Sequence, residues 1–154
     1  MSLKLAMPVE TLVRDIMHPG VVTIPATATV VSAADLLAQH HVQGAPVLDG
    51  IGRIIGVVTT TDLTDPRRSM NPDDSIEWVM TRVAFAVREG DPAMTAVRLM
   101  VREAIHRVIV VGDAGEPVGI VTPMDVLRAI DAGAPIGVQG DSEVRFVRLD
   151  GRTD

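Results

Sequence analysis

The sequence matches itself when it is shifted by 63 residues, and no gap is needed. Met17 falls on Met80, Ala33 on Ala96, Leu36 on Leu99 and Val47 on Val110. Gly52, Gly56, Val58, Thr59 and Asp62 fall on Gly115, Gly119, Val121, Thr122 and Asp125. Where residues change, most keep their apolar class, as Val42 does against Ile105 and Val57 against Ile120. Each copy of such a supersecondary unit, alone, buries too little apolar surface to hold a core. Two copies in one chain of 154 residues are therefore expected to pack face to face about a pseudo-twofold axis.

Each copy reads as β-α-β-β-α behind a short helix. In the first, residues 9–17 suit the short helix and residues 21–24 a strand closed by Pro25. Thr29 caps a helix to about His41, with Val30, Ala33, Ala34 and Leu37 on one face. Strands at 45–48 and 53–58 flank the turn Asp49-Gly50-Ile51-Gly52, and Thr59 opens a helix that Pro66 ends. In the second copy Ser75 caps a short helix through Met80, and strands are expected at 84–87, 108–111 and 116–121. One helix starts at Asp91 or Pro92, with Ala93, Val97, Met100, Val101 and Ala104 on one face; another runs from Thr122-Pro123 to about Ala132. The copies span residues 9–66 and 75–132, with a polar linker at 67–74. A tail at 133–154 alternates apolar and charged residues over 143–149, which suits an edge strand.

Composition narrows the class and the chemistry. Valine occurs 24 times, whereas Trp78, Phe85 and Phe146 are the only aromatic residues. An aliphatic, β-branched core favours strands and parallel pairing, so the fold class expected is α/β. The net charge of −6 disfavours nucleic acid, whose phosphates need clustered Lys and Arg. There is no cysteine for a disulfide, a thiolate nucleophile or a metal thiolate. No run approaches the ~18 apolar residues of a membrane span, and the first ten residues lack a signal-peptide pattern, so the expected location is the cytoplasm. His40 and His41 point about 100° apart on a helix and cannot clamp one metal. His18 has no evident carboxylate partner in the sequence, His106 reads as packed or exposed, and Asp65-Pro66-Arg67-Arg68 reads as linker surface. Nothing resembles a nucleophile elbow or a P-loop. No catalytic residue, metal or required cofactor is expected, and the chain is not expected to be an enzyme.

The most repeated feature is Gly56-Val57-Val58-Thr59-Thr60-Thr61-Asp62, matched by Gly119-Ile120-Val121-Thr122-Pro123-Met124-Asp125. Thr-x-x-Asp at a strand-to-helix junction resembles a capping box, and Pro123 suits a first helical position. The same geometry suits a ligand. Free N–H groups and a positive dipole end favour phosphate, threonine adds a hydroxyl, and aspartate can accept from the 2′- and 3′-hydroxyls of a ribose. Glycine on the incoming strand would let a ligand approach the backbone. Capping and binding are compatible, since four N–H groups exceed what one cap satisfies.

Two such units in tandem, each ending in Gly-apolar-x-Thr-x-x-Asp, resemble a pair of cystathionine-β-synthase (CBS) domains, the Bateman module. The resemblance covers residues 9–132. It implies two β-α-β-β-α repeats about a pseudo-twofold axis and adenosine-nucleotide binding in the clefts between them. It implies ribose contacts from Asp62 and Asp125 and ribose or phosphate contacts from Thr59 and Thr122. The backbone at Thr23-Ile24-Pro25 and at Ala86-Val87-Arg88 would read the adenine edge, and Ala45, Pro46 and Val47 would wall the base pocket. The counterpart of that wall is Arg107 with Val108, and Arg107 stands where the first copy has Gly44. In regulatory subunits of AMP-activated kinase a similar His-Arg run supplies a phosphate ligand. The reading that follows is a regulatory sensor of AMP, ADP, ATP or an adenosyl relative, a homodimer whose occupancy an unknown regulated protein reads. The alternative is a ligand-free structural dimerisation module.

Overall fold

The computed structural model describes residues 10–68, 71–137 and 147–150. The elements run α1 (Val13–Ile16), β1 (His18–Pro19), β2 (Ile24–Pro25), α2 (Val30–Gln39), β3 (Gly44–Leu48), β4 (Ile54–Thr59) and α3 (Thr60–Thr64). A 3-10 turn (Ile76–Trp78) follows, then β5 (Val83–Arg88), α4 (Ala93–Glu103), β6 (Val108–Val111), β7 (Pro117–Val121), α5 (Pro123–Asp131) and β8 (Val147–Asp150). Thr29 starts α2 through a reciprocal cap: its hydroxyl accepts from the Ser32 N–H at 3.2 Å, and Ser32 Oγ accepts from the Thr29 N–H at 3.0 Å. His41, just beyond α2, and Ala104, just beyond α4, both adopt left-handed backbone, φ 53° and 52°. They are 63 positions apart, so the repeat extends to the way each helix stops.

The α/β reading holds, and the repeat extends to the strand register. In the first copy β2 pairs parallel to β3 with Ile24 opposite Val47, and β3 pairs antiparallel to β4 with a bulge at Val47/Leu48. In the second, β5 pairs parallel to β6 with Val87 opposite Val110, and β6 pairs antiparallel to β7 with a bulge at Val110/Val111. The copies also exchange their leading segments. β1 pairs with β7, His18 opposite Ile120, while Thr81 bridges Val57. Leu12 bridges Pro92, while Thr29 bridges Ser75. Each member of these pairs maps onto the other by the 63-residue shift, which is the signature of a twofold relation.

That exchange explains the repeated glycine differently from the sequence reading. A Cβ on Gly56 would lie 2.6 Å from the Thr81 carbonyl oxygen, and one on Gly119 would lie 2.9 Å from that of His18. The space that glycine leaves is filled by the crossing segment, not by an open approach for a ligand. Burial follows the same exchange. Ile76, Val79 and Met80 belong to the core of the first copy, and Val13 belongs to that of the second. Between the two sheets lie Ile54, Ala86, Ile109 and Val111.

Two local expectations change. On α4, Ala93, Ala96, Leu99 and Met100 are buried and Val97 is partly so, whereas Val101 is 75% exposed. Ala104 has already left the helix. The buried stripe is centred one residue earlier than the sequence reading placed it. The first-copy strand expected at 21–24 is reduced to Ile24–Pro25. In the tail, Val147–Asp150 pairs antiparallel to β5, with Phe85 opposite Arg148, while residues 143–146 lie outside the described residues.

Candidate functional site

Two clefts lie between the copies, and the twofold relation carries one onto the other. The first, about 370 Å³, is lined by Ala45, Pro46, Val57 and Thr59 from the first copy and by Thr81, Phe85, Ile105, His106 and Arg107 from the second. The second, about 450 Å³, is lined on corresponding positions by Thr122, His18, Val22, Val42, Gln43 and Gly44. Their chemistry differs because the substitutions between the copies fall here. Phe85, His106 and Arg107 of the first cleft stand where the second has Val22, Gln43 and Gly44. His40 and His41 line the second cleft with His18, so all four histidines of the chain border a cleft.

Each cleft receives the threonine that ends a strand and starts a helix. Thr59 and Asp62 form a reciprocal capping box: the Thr59 N–H donates to Asp62 Oδ2 at 2.9 Å, and the Asp62 N–H donates to Thr59 Oγ1 at 3.2 Å. In the second copy the Thr122 N–H and hydroxyl both donate to Asp125 Oδ2, at 2.8 and 3.0 Å. The other carboxylate oxygens face basic side chains. Asp62 Oδ1 meets Arg68 Nη1 at 3.2 Å, and Asp125 Oδ1 meets His18 Nε2. The partner of His18 therefore comes from the other copy, through the β1–β7 pairing that no sequence window could display. Arg68, read from sequence as linker surface, also donates to the Val79 carbonyl at 2.8 Å.

Arg107 is the chemical exception. It lines both clefts, and its Nη1 lies 2.7 Å from where a Cβ on Gly44 would sit. No carboxylate pairs with it among the described residues, and burial holds its pKa below the ordinary guanidinium value. A partly desolvated cation without a counter-charge is a ready partner for an anion.

The remaining residues singled out in the sequence are placed as follows. Ala45, Pro46 and Thr59 line the first cleft, Thr122 lines the second, and Arg107 lines both. Asp62 and Asp125 stand behind the threonines and line neither. The side chains of Ile24, Val47, Ala86, Val87 and Val108 are in the core, and these residues line neither cleft. Thr23 is half-buried and Pro25 exposed on the approach to β2 and through it. The sequence reading passed over Val57 and Ile105, whereas Ile109, in the counterpart of the expected base-pocket wall, does line the first cleft. Alternation along β4 marks Val57 and Thr59 as facing away from the core, and this period-2 signal was available. Trp78 is 78% exposed and lines neither cleft. Among the described residues no group of three or more His, Asp or Glu could hold a metal ion, and no helix is long and apolar enough to cross a membrane.

Comparison with known proteins agrees with this architecture. A family model for the CBS domain matches residues 13–66 and 72–132. An L-aspartate semialdehyde sulfurtransferase of Methanocaldococcus jannaschii is 30% identical over 118 residues, which is 77% of this chain and 23% of that enzyme. An inosine-5′-monophosphate dehydrogenase of Chlorobaculum tepidum is 26% identical over 140 residues, 79% of this chain and 28% of the enzyme. The chain thus spans less than a third of either enzyme, and the match does not carry their activities. Among solved structures, the CBS domain pair of protein MJ0100 in complex with 5′-methylthioadenosine and S-adenosyl-L-methionine superposes with a TM-score of 0.70 at 29% identity, covering 80% of this chain and 98% of that one. CBSX2 in complex with AMP superposes at 0.68 with 28% identity, covering 79% and 96%.

Proposed function

The chain belongs to the CBS-domain family as a tandem pair, a regulatory rather than a catalytic module, and on that premise we propose that it senses adenosine nucleotides. AMP, ADP, ATP or an adenosyl relative would bind in the clefts between the copies. The observation that carries this reading is the half-buried guanidinium of Arg107, without a carboxylate partner among the described residues, beside two symmetry-related clefts, each bordered by a helix-opening threonine. The apolar wall of Ala45, Pro46, Phe85 and Ile109 suits a purine, and Thr59 and Arg107 suit the sugar and phosphate. The adenosine ligands of MJ0100 and CBSX2 support the choice of ligand class. Occupancy would bias the relative placement of the copies, and a partner protein would read that bias. We also propose a homodimer, since Met124, Leu127 and Ile130 leave one face of α5 exposed and apolar.

A second reading has its own support. The capping boxes occupy one oxygen of Asp62 and of Asp125, and Arg68 and His18 occupy the other. Those residues would look the same in a structural dimerisation module that binds nothing. Thermal shift with AMP, ADP, ATP, adenosine and S-adenosylmethionine separates the two. A ligand at 100 times its dissociation constant stabilises by about 2.7 kcal/mol. A flat response to the whole panel would leave the dimerisation module standing.

A further inference from the structure

Arg107 borders both clefts, while its counterpart Gly44 supplies no side chain. Two clefts therefore share one guanidinium, and among the described residues it is the only Lys or Arg lining either of them. The Arg107 Nη1 sits in the space that Gly44 leaves open, on the side of the second cleft. The planar donor fork of arginine pairs bidentately with one phosphate and is then committed in direction. Among the described residues no second Lys or Arg lines the other cleft to take its place; the other basic groups there are the histidines at its border.

We propose that the two clefts compete for Arg107, so that a phosphate-bearing ligand in one cleft lowers the affinity of the other for a second phosphate while leaving it open to an uncharged nucleoside. This rests on the nucleotide-sensing reading above and adds the rule of occupancy. The mixed state, one charged and one uncharged ligand, is favoured over two charged ligands. The device follows from the one cleft position where the repeat sets a permanent cation against a residue with no side chain. Had the first copy also carried arginine at position 44, each cleft would own a cation and the coupling would vanish.

Calorimetric titration of the intact protein tests this with AMP and adenosine as probes. Wild-type protein is expected to bind AMP in two steps whose dissociation constants differ by about tenfold or more, within the usual range of site-to-site coupling. Adenosine added to protein holding one AMP is expected to bind within about twofold of its affinity for free protein, because it makes no call on the guanidinium. Arg107→Met is expected to weaken the first AMP step and to bring the two AMP constants within about threefold of each other. Gly44→Ala keeps the charge but removes the space beside Nη1, and its circular dichroism and melting profile verify the fold. It is expected to narrow the gap between the two AMP steps as well. Two AMP steps whose separation is the same in wild type, Arg107→Met and Gly44→Ala would overturn the competition while leaving nucleotide sensing intact. Equal, independent AMP sites in the wild type would overturn it too. No binding of AMP or adenosine at any concentration would remove both.

Discussion

Thr59 and Thr122 carry two duties at the scale of single residues. Each is bound within a capping box, and each borders a cleft. Thr59→Ala should lower stability by about 1 kcal/mol, the usual cost of a lost N-cap, and Thr122→Ala, which loses its hydroxyl's hydrogen bond to the Asp125 carboxylate, by about as much, both measured by urea denaturation. Wild-type stability in both variants would mean that the caps are redundant. The aspartates behind them separate capping from sugar recognition. Asp125→Asn should weaken binding of AMP more than of 2′-deoxy-AMP, by about 1.5–3 kcal/mol in the ribonucleotide, because a carboxylate accepts more strongly from a hydroxyl than an amide does. His18 must give up Asp125 Oδ1 for that contact to form, so His18→Ala should not weaken ribose recognition. Equal losses for AMP and its deoxy analogue would restrict Asp125 to capping and to the His18 pair.

At the scale of elements, helix stops and strand crossings set the tolerances. Ala104 holds φ 52° directly after α4, where an L side chain costs roughly 1–2 kcal/mol and glycine costs less. Glycine's greater freedom when unfolded takes back about 0.5–1 kcal/mol. Ala104→Gly should therefore stabilise by up to about 1 kcal/mol, seen as a rise in the urea midpoint without a change in slope. The strand glycines behave in the opposite way. A methyl at Gly56 or Gly119 meets a backbone carbonyl of the crossing segment and cannot push it aside as it would a flexible side chain. Gly56→Ala and Gly119→Ala should each destabilise by about 1–3 kcal/mol, the range for overpacking. If instead they were neutral in stability and abolished AMP binding, the glycines would be kept for the ligand.

The exchanged leading segments tie the whole molecule together. The leading residues of the second copy fill the core of the first, and Val13, from the leading segment of the first, fills that of the second, so neither copy completes its core alone. Unfolding should accordingly be a single transition, with Trp78 fluorescence and far-ultraviolet circular dichroism coinciding. Between molecules, the exposed Met124, Leu127 and Ile130 on α5 stand beside α4, whose Val101 is also exposed. Sedimentation at micromolar concentration should give twice the chain mass of 16.4 kDa, and Leu127→Glu should halve it. A wild-type mass near 16.4 kDa would leave that apolar face for another protein.

By itself the sequence determined the unit, its order of elements and its duplication. Apolar periodicity and turn chemistry are local, and the 63-residue shift needs no coordinates to be seen. It also marked Thr59, Thr122 and Arg107, because repetition and the places where it fails are visible in a string of letters. Only tertiary structure decided what those residues meet. The pairing of His18 with Asp125 and the placing of Arg107 between two clefts arise from contacts more than 60 residues apart in sequence, which no local pattern encodes. The reason glycine stands at 56 and 119 is likewise a carbonyl from the exchanged segment, brought there by the twofold packing of the copies.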